Sequence, residues 1–198
     1  MNKPFAESCV QNRQPILAVL SQRLGDCREL LEIGSGTGQH AVYFAPELPQ
    51  LIWHTSDRAD QHSGIQAWLN EAGLPNIRSP RRLDVLSDPW PDDRFDAVFS
   101  ANTAHIMPER AVEAMFRGVG RVLRTGGSFL LYGPFNYDGR FSSPSNAAFD
   151  QWLKARDPEM GIRDLAWLNA LAEMAGMRLA EDVEMPVNNR TLVWKRIA

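Results

Sequence analysis

Three alternating glycines form the part of the chain whose residue types and spacing most directly indicate chemistry. Gly34, Gly36 and Gly38 follow the apolar run of residues 30–33, and residues 39–45 after them have the composition of a helix. A loop that joins a buried strand to a helix N-terminus collects unpaired N–H groups at the positive end of the helix dipole. Glycines allow positive φ there and remove the Cβ atoms that would keep a ligand away from the backbone. The pattern therefore predicts a site for a nucleotide-like ligand.

The spacing of this loop separates two classes of cofactor. A dinucleotide loop, G-x-G-x-x-G, would have glycine where this chain has Gln39. The observed pattern, Glu32 followed by alternating glycines, resembles instead the first motif of class I methyltransferases, which bind S-adenosylmethionine. We expect the glycines to contact this cofactor through their backbone, with Glu32 bracing the loop and approaching the methionine part. Asp57 ends the next predicted strand and is the carboxylate we expect to hold the ribose hydroxyls.

Alternating strand and helix signals must position these residues, and they predict an α/β fold. Strands are predicted at residues 28–33, 51–55, 77–85, 95–99 and 128–132, and a closing hairpin at residues 177–187 and 191–197. Helices are predicted at residues 15–24, 39–45, 65–72, 146–156 and 164–175, with another after Pro108. The fold class is a Rossmann-like three-layer sandwich of the class I methyltransferase type. Its seven-stranded sheet is mostly parallel with an antiparallel C-terminal hairpin, whereas nicotinamide-binding folds normally stay parallel.

Length and composition limit the classes of protein to which this chain can belong. The 198 residues, 44% of them hydrophobic, predict a single domain over residues 1–198. A net charge of −3 with scattered basic residues disfavours nucleic acid as a partner. Because no apolar run reaches membrane-span length and no leader is evident, we expect a cytoplasmic protein without a membrane partner. Cys9 and Cys27 are expected to be reduced, and the histidines have no metal-ligand spacing, so no metal is expected.

A narrower resemblance covers nearly the whole chain. The chain resembles a small family, long described as a domain of unknown function, that includes methyltransferase-like protein 26. The matching runs are residues 12–17, LEIGSGTGQH at 31–40, residues 53–57, 83–85, 132–135, 143–150, 156–158, 161–164 and 185–189. The resemblance implies the class I methyltransferase fold and S-adenosylmethionine, but no particular substrate.

The same resemblance implies cofactor contacts beyond the glycines. Asn12 and Arg13 match its N-terminal signature, which suggests that the leading segment folds over the cofactor. Asp84 would face the exocyclic amine of adenine, and Val85 would supply a backbone or apolar contact. The remaining expected cofactor-binding residues come from the matching loop and from the tip of the fourth strand: Ser35, His40, Ser100, Ala101 and Asn102.

The acceptor site is expected where the fourth and fifth strands end. Asn102 and His105 follow the fourth strand, at the carboxyl edge where open α/β sheets bind ligands. His105 and Tyr137 are the candidate catalytic groups, and Asn102, His105, Tyr137 and Arg140 the candidate substrate-binding residues. Arg140, and with less support Arg163, would clamp a substrate carboxylate. Residues 135–163 show the longest stretch without strand signal and are expected to be an insertion that covers the substrate.

We expect the acceptor to be a small molecule with an oxygen, sulfur or nitrogen nucleophile, and a carboxylate-bearing metabolite is one option. The Asn-Pro-Pro-Tyr type of motif that positions planar nitrogens is missing at Asn102, which makes adenine and glutamine poor candidates. Several alternatives stay open. Asp84 can instead cap a turn at residues 87–89, and His105 can instead be a helix-start residue packed on Pro108. A non-catalytic module and, less favoured, a nicotinamide-dependent oxidoreductase are the rival functions, and the sequence carries no signal for oligomeric state.

Overall fold

Strands and helices alternate through the chain in a computed structural model that describes residues 3–197. The predicted domain of residues 1–198 extends slightly past this range. Helices in this range are α1 (Glu7–Arg23), α2 (Gln39–Phe44), α3 (His62–Ala72), α4 (Glu109–Val122), α5 (Pro144–Arg156) and α6 (Leu165–Met174). Strands are β1 (Glu29–Ile33), β2 (Ile52–Asp57), β3 (Ile77–Arg82), β4 (Phe95–Ala101), β5 (Leu123–Gly133), β6 (Phe135–Tyr137), β7 (Arg140–Phe141), β8 (Arg163–Asp164), β9 (Met177–Met185) and β10 (Asn189–Arg196).

The main sheet has seven strands in the order β3-β2-β1-β4-β5-β10-β9. Strands β1 to β5 pair in parallel, and β10 runs antiparallel to both β5 and β9. This confirms the predicted sheet and its antiparallel C-terminal hairpin. The strand order reverses between β1 and β4, and such a switch point leaves a crevice at the carboxyl ends of the strands. The glycine loop after β1 and the tip of β4 lie at that crevice.

Two apolar cores hold helices on opposite faces of the sheet, as alternation along a strand requires. Leu31 belongs to one core, with apolar residues of α4 and α6. Its neighbour Leu30 belongs to the other, with residues of α1 and α2. Both leucines are fully buried. The two cores make the sheet a rigid base for the loops at its carboxyl edge.

Several element boundaries differ from the predictions. α1 begins at Glu7, because the helix continues through Pro15 while its buried face packs on the sheet. β3 ends at Arg82, because the chain turns at Asp84. β5 begins at Leu123 with an irregular register that places Gly126 at φ 82°.

Residues 135–163, predicted to carry no strand signal, contain the short strands β6 and β7 and end in β8. These strands form a second small sheet in the order β7-β6-β8. They have two or three residues each, too few for an alternation signal in the sequence. Across residues 3–197, no helix combines the length and apolarity needed to cross a membrane.

Candidate functional site

The glycine loop is left-handed at each of its glycines. Gly34, Gly36 and Gly38 have φ angles of 70°, 59° and 87°. A Cβ on Gly34 would lie 2.6 Å from the Thr103 Cγ2 atom, and one on Gly38 would lie 3.2 Å from the Ile65 Cα atom. A Cβ on Gly36 would meet nothing within 4 Å. Gly34 and Gly38 are therefore needed for packing, whereas Gly36 leaves its backbone open to a ligand.

Asp57 lies directly against this open glycine. Its Oδ2 accepts a hydrogen bond from the Gly36 N–H at 2.8 Å, and its Oδ1 accepts one from the Arg58 N–H at 2.8 Å. Burial raises the pKa of the Asp57 carboxyl above its usual range, against the lowering effect of these bonds. A carboxylate oxygen accepts more than one hydrogen bond, so acceptor capacity remains for a diol. The loop and the end of β2 thus form one continuous surface.

Glu32 lies beneath the loop and is 2% exposed. Its Oε2 accepts hydrogen bonds from the Ser35 hydroxyl at 2.8 Å and from the Trp53 Nε1 at 3.0 Å. The Ser35 hydroxyl in turn accepts from the Ser56 N–H at 3.1 Å. Burial raises the pKa of Glu32 to about 7. These bonds fasten the loop to β1 and β2, and Ser35 serves as their bridge.

Gln39 occupies the position where a dinucleotide loop has its last glycine. Its Oε1 accepts hydrogen bonds from the Ala6 N–H at 2.6 Å and from the Thr37 hydroxyl at 3.0 Å. The side chain therefore ties the start of α1 to the glycine loop. A glycine could not make this connection.

A second connection between α1 and α2 uses Asn12 and His40, both buried. The His40 Nε2 lies 2.7 Å from the Asn12 Oδ1. Burial lowers the pKa of His40 to about 4, so the ring is neutral at pH 7. The Arg13 guanidinium faces the other way and lies 4.4 Å from the Tyr43 ring centroid. Through these contacts His40 and Arg13 hold α1 against α2.

Asp84 adopts the capping role that the sequence left open. Its Oδ1 accepts from the Leu86 N–H at 2.9 Å, and its own N–H donates to the Asp88 Oδ2 at 2.7 Å. Val85 packs against the core that contains α4. The adenine contact expected from the resemblance would have to use the second Asp84 oxygen.

At the tip of β4 the three predicted residues differ in accessibility. Ser100 is fully buried, and its hydroxyl donates to the Ile33 carbonyl at 2.8 Å. Ala101 is half-buried. Asn102 has a φ of 58°, a left-handed conformation that asparagine tolerates, and its N–H donates to the Tyr132 carbonyl at 2.9 Å. Asn102 lines a cavity, and Ser100 holds β4 against β1.

That cavity has a volume of about 770 Å³. Its walls come from α1, the segment after β4, α5 and the turn between β9 and β10. The Asn146 Nδ2 donates to the Asn188 carbonyl at 3.1 Å and so fixes α5 to that turn. A second groove of similar volume, about 760 Å³, lies among arginines that include Arg117 and Arg121. Asn102, which is predicted to bind the acceptor, lines the first cavity.

His105 also lines the first cavity and is 6% exposed. Its ring meets the Phe149 ring edge-on with centroids 5.4 Å apart. Within residues 3–197 neither ring nitrogen has a hydrogen-bond partner. Burial, reinforced by the positive charge of Arg163, lowers the pKa of His105 to about 4. At pH 7 the imidazole is neutral and has an unused lone pair.

Tyr137 and Arg140, predicted near the substrate, lie outside this cavity. The Tyr137 hydroxyl donates to the Asp182 Oδ2 at 2.8 Å, because β6 faces the terminal hairpin at that point. Burial and Asp182 raise the pKa of Tyr137 to about 12. Arg140 is exposed on β7. The expected base and clamp thus lie on a different surface.

Arg163 is not available as a clamp either. Its guanidinium donates to the carbonyls of Ala104 at 3.2 Å, Met107 at 2.5 Å and Glu159 at 2.7 Å. Arg163 is 7% exposed. It fixes the segment that carries His105.

Sequence reasoning did not single out Phe149 and Arg156 as site residues, although both lie within the cover predicted at residues 135–163. Together with Trp152, which is 51% exposed, they form the wall that α5 contributes to the cavity. Arg156, four residues after Trp152 and therefore on the same helix face, was the available signal, because a charged residue is unusual on a core face. No group of three or more metal-ligating side chains lies together in the described part of the chain.

A family model matches residues 3–196. The chain belongs to DUF938, a family described as proteins of unknown function. It is also 26% identical over 168 residues to an uncharacterized methyltransferase, YcgJ of Bacillus subtilis, covering 78% of this chain and 62% of that protein. It is 31% identical over 134 residues to a fatty-acid O-methyltransferase of Mycolicibacterium smegmatis, covering 66% and 47%. The chain thus spans about half the length of these relatives.

The fold matches solved methyltransferase structures. One is the S-adenosylmethionine-dependent methyltransferase SibL in its apo form, with a TM-score of 0.81 and 22% identity. The match covers 96% of this chain and 56% of SibL. This DUF938 protein therefore has the class I methyltransferase fold, as predicted.

Proposed function

We propose that this DUF938 protein is a methyltransferase that binds S-adenosylmethionine at the glycine loop and methylates a small molecule in the adjacent cavity. The observation that carries the proposal is the contact between Gly36 and Asp57, 2.8 Å long, at the switch point of the sheet. It joins an open backbone surface to a carboxylate, the combination that a ribose with a short charged tail requires. Methyltransferases among the relatives, one of them acting on fatty acids, support the same activity.

The residues at this site fit the cofactor. Nothing lies within 4 Å of the Cβ position of Gly36, so its backbone would be accessible to the methionine part, and Asp57 would hold the ribose hydroxyls. Val85 and the free oxygen of Asp84 would border the adenine. When bound, S-adenosylmethionine supplies a methyl group whose carbon bonds to the acceptor nucleophile while sulfur retains the electron pair of the broken bond.

The chain's own residues would then position the acceptor and accept its proton. Asn102 would orient the acceptor at the cavity floor, since its backbone is fixed to β5. The unused lone pair of His105 would accept the proton of a hydroxyl or similar group, with solvent at the cavity mouth as the final proton acceptor. Holding the two reactants at near-attack distance would supply much of the acceleration.

Three further parts of the proposal have their own support. The cover predicted at residues 135–163 would be α5, which walls the cavity. Kinship with methyltransferase-like protein 26 rests on the shared runs of sequence. A cytoplasmic location is supported by Cys9 and Cys27, which are unpaired.

Two titrations and one transfer assay test the proposal. We expect S-adenosylhomocysteine to bind by isothermal titration calorimetry and NAD not to bind, because Gln39 and the antiparallel hairpin are atypical of nicotinamide enzymes. Binding of NAD without S-adenosylhomocysteine would overturn the assignment. Radiolabelled methyl transfer to a cell extract, separated into small molecules and macromolecules, should label the small-molecule fraction. If the cofactor binds but nothing is labelled, the non-catalytic alternative is favoured.

A further inference from the structure

One face of α5 forms an aromatic wall that connects the buried end of the cavity to its mouth. The Phe149 ring, which meets His105, stacks on the Trp152 ring with centroids 5.7 Å apart and planes at 18°. The Arg156 guanidinium carbon lies 4.7 Å from the Trp152 ring centroid. Residues three and four apart share a helix face, so these side chains form a continuous row. The row begins at an imidazole and ends at a cation.

The outer end of this aromatic wall is exposed to solvent, which is unfavourable for large apolar side chains. Trp152 is 51% exposed, and Ile106 and Val187 beside the cavity mouth are 48% and 83% exposed. Clustered exposed apolar side chains are typical of a binding surface. Among residues 3–197, Arg156 has no carboxylate within ion-pair distance. Its charge is thus available to an anion that enters the cavity.

We propose that the acceptor is a planar aromatic molecule with a hydroxyl group at one end and an anionic group such as a carboxylate at the other. The proposal rests on the function proposed above and names its substrate class. The aromatic ring would lie against Phe149 and Trp152, where stacking adds to apolar burial. The hydroxyl would donate a hydrogen bond to neutral His105, and the anion would pair with Arg156. A simple alkyl chain would gain the burial without the stacking.

Three matched probes test this chemistry by calorimetry on protein saturated with S-adenosylhomocysteine. They are 3-(4-hydroxyphenyl)propanoate, its methyl ester, and 3-(4-hydroxycyclohexyl)propanoate, the cyclohexyl acid in which a saturated ring replaces the aromatic ring. We expect the aromatic acid to bind about fivefold more tightly than the cyclohexyl acid, because only the aromatic ring stacks. It should bind roughly threefold more tightly than the ester, the modest gain expected for an exposed ion pair.

Variants assign these differences to residues. Arg156→Gln should reduce the affinity for the acid to that for the ester and leave the ester unaffected. Arg140→Gln is the matched control, because Arg140 is an exposed cation outside the cavity, and it should change neither. Trp152→Phe should keep the preference for the aromatic ring, and Trp152→Leu should abolish it.

Where the probes bind, two results would overturn the proposal: equal binding of the aromatic and cyclohexyl acids to the unmodified protein, or an Arg156→Gln variant that distinguishes acid from ester as well as the unmodified protein does. If S-adenosylhomocysteine binds and no probe binds, the acceptor class is wrong and the proposed activity stands. If S-adenosylhomocysteine itself does not bind, the proposed activity fails. Titrations of the three probes without S-adenosylhomocysteine would then still test whether the cavity binds this class of molecule.

Discussion

At the cofactor end of the sheet edge, backbone atoms and short hydrogen bonds carry the geometry, whereas at the acceptor end side chains on a separate helix carry it. The Gly36 N–H donates to the Asp57 carboxylate at 2.8 Å. The Ser35 hydroxyl donates to Glu32 at 2.8 Å and accepts from the Ser56 N–H at 3.1 Å. His105 and Phe149, in the cavity, meet through ring packing with no hydrogen bond between them. A methyl donor that many enzymes share requires the same site geometry in each of them. An acceptor that is particular to one enzyme requires a surface that can change by substitution. The predictions below separate these two ends.

The largest effect is expected from His105→Asn, at the acceptor end. Loss of a general base lowers the transfer rate by roughly a hundredfold or more, while affinity for S-adenosylhomocysteine should stay the same. Because the pKa of His105 is about 4, the rate of the unmodified protein should fall only as the pH drops toward that value. Single-turnover transfer of radiolabelled methyl checks the rate. His54→Asn, which alters a histidine paired with Glu29, is the control.

Asp57→Asn should act at the cofactor end alone. The amide cannot accept hydrogen bonds at both positions, and it loses the charge that would hold the ribose hydroxyls. We expect affinity for S-adenosylhomocysteine to fall by about ten- to a hundredfold in calorimetry. Asp60→Asn, at an exposed carboxylate nearby, should have no such effect. Equal affinities for the two variants would remove Asp57 from the site.

Gly36→Ala has a matched control elsewhere in the chain. Gly36 and Gly126 both have positive φ and open space where a Cβ would lie, so alanine at either should cost about 1 kcal/mol of folding free energy. Only at Gly36 does the methyl group enter the proposed ligand space, which should weaken S-adenosylhomocysteine binding about tenfold. Chemical unfolding and calorimetry measure the two effects. Weakened binding in both variants would indicate an indirect effect of stability.

The smallest effect concerns stability and pH at the contact between α1 and α2. The folded pKa of His40, about 4, lies below its ordinary 6.5, so its contribution to stability is complete above pH 6.5 and is lost as the pH falls toward 4. Glu32 opposes this, because its raised pKa of about 7 favours the folded state at low pH. His40→Gln should flatten the acid decline in denaturant titrations between these pH values, because glutamine does not titrate. If the free energy of unfolding of this variant depends on pH as it does in the unmodified protein, the prediction is wrong.

The geometry of the proposed cofactor end could be predicted from the sequence because its determinants are local. Glycine spacing fixes φ angles, and a carboxylate that ends the next strand is brought beside the loop by parallel pairing. The acceptor end depends on how α5 packs after a turn, and no local rule specifies that. Tyr137 and Arg140 have suitable chemistry, but the short strand pair β6 and β7 lies outside the cavity. Trp152 likewise reaches the cavity only through the packing of α5.

The most direct test of the central claim, that the glycine loop binds S-adenosylmethionine, is an NMR titration of protein labelled with ¹⁵N only in its 14 glycines. We expect S-adenosylhomocysteine to shift the amide signals of Gly34, Gly36 and Gly38, with Gly36 shifting most. The signal of Gly126, whose open left-handed backbone lies at the start of β5, should stay in place. Loop glycines that do not move at saturating ligand, or shifts confined to glycines elsewhere such as Gly120 and Gly176, would contradict the claim.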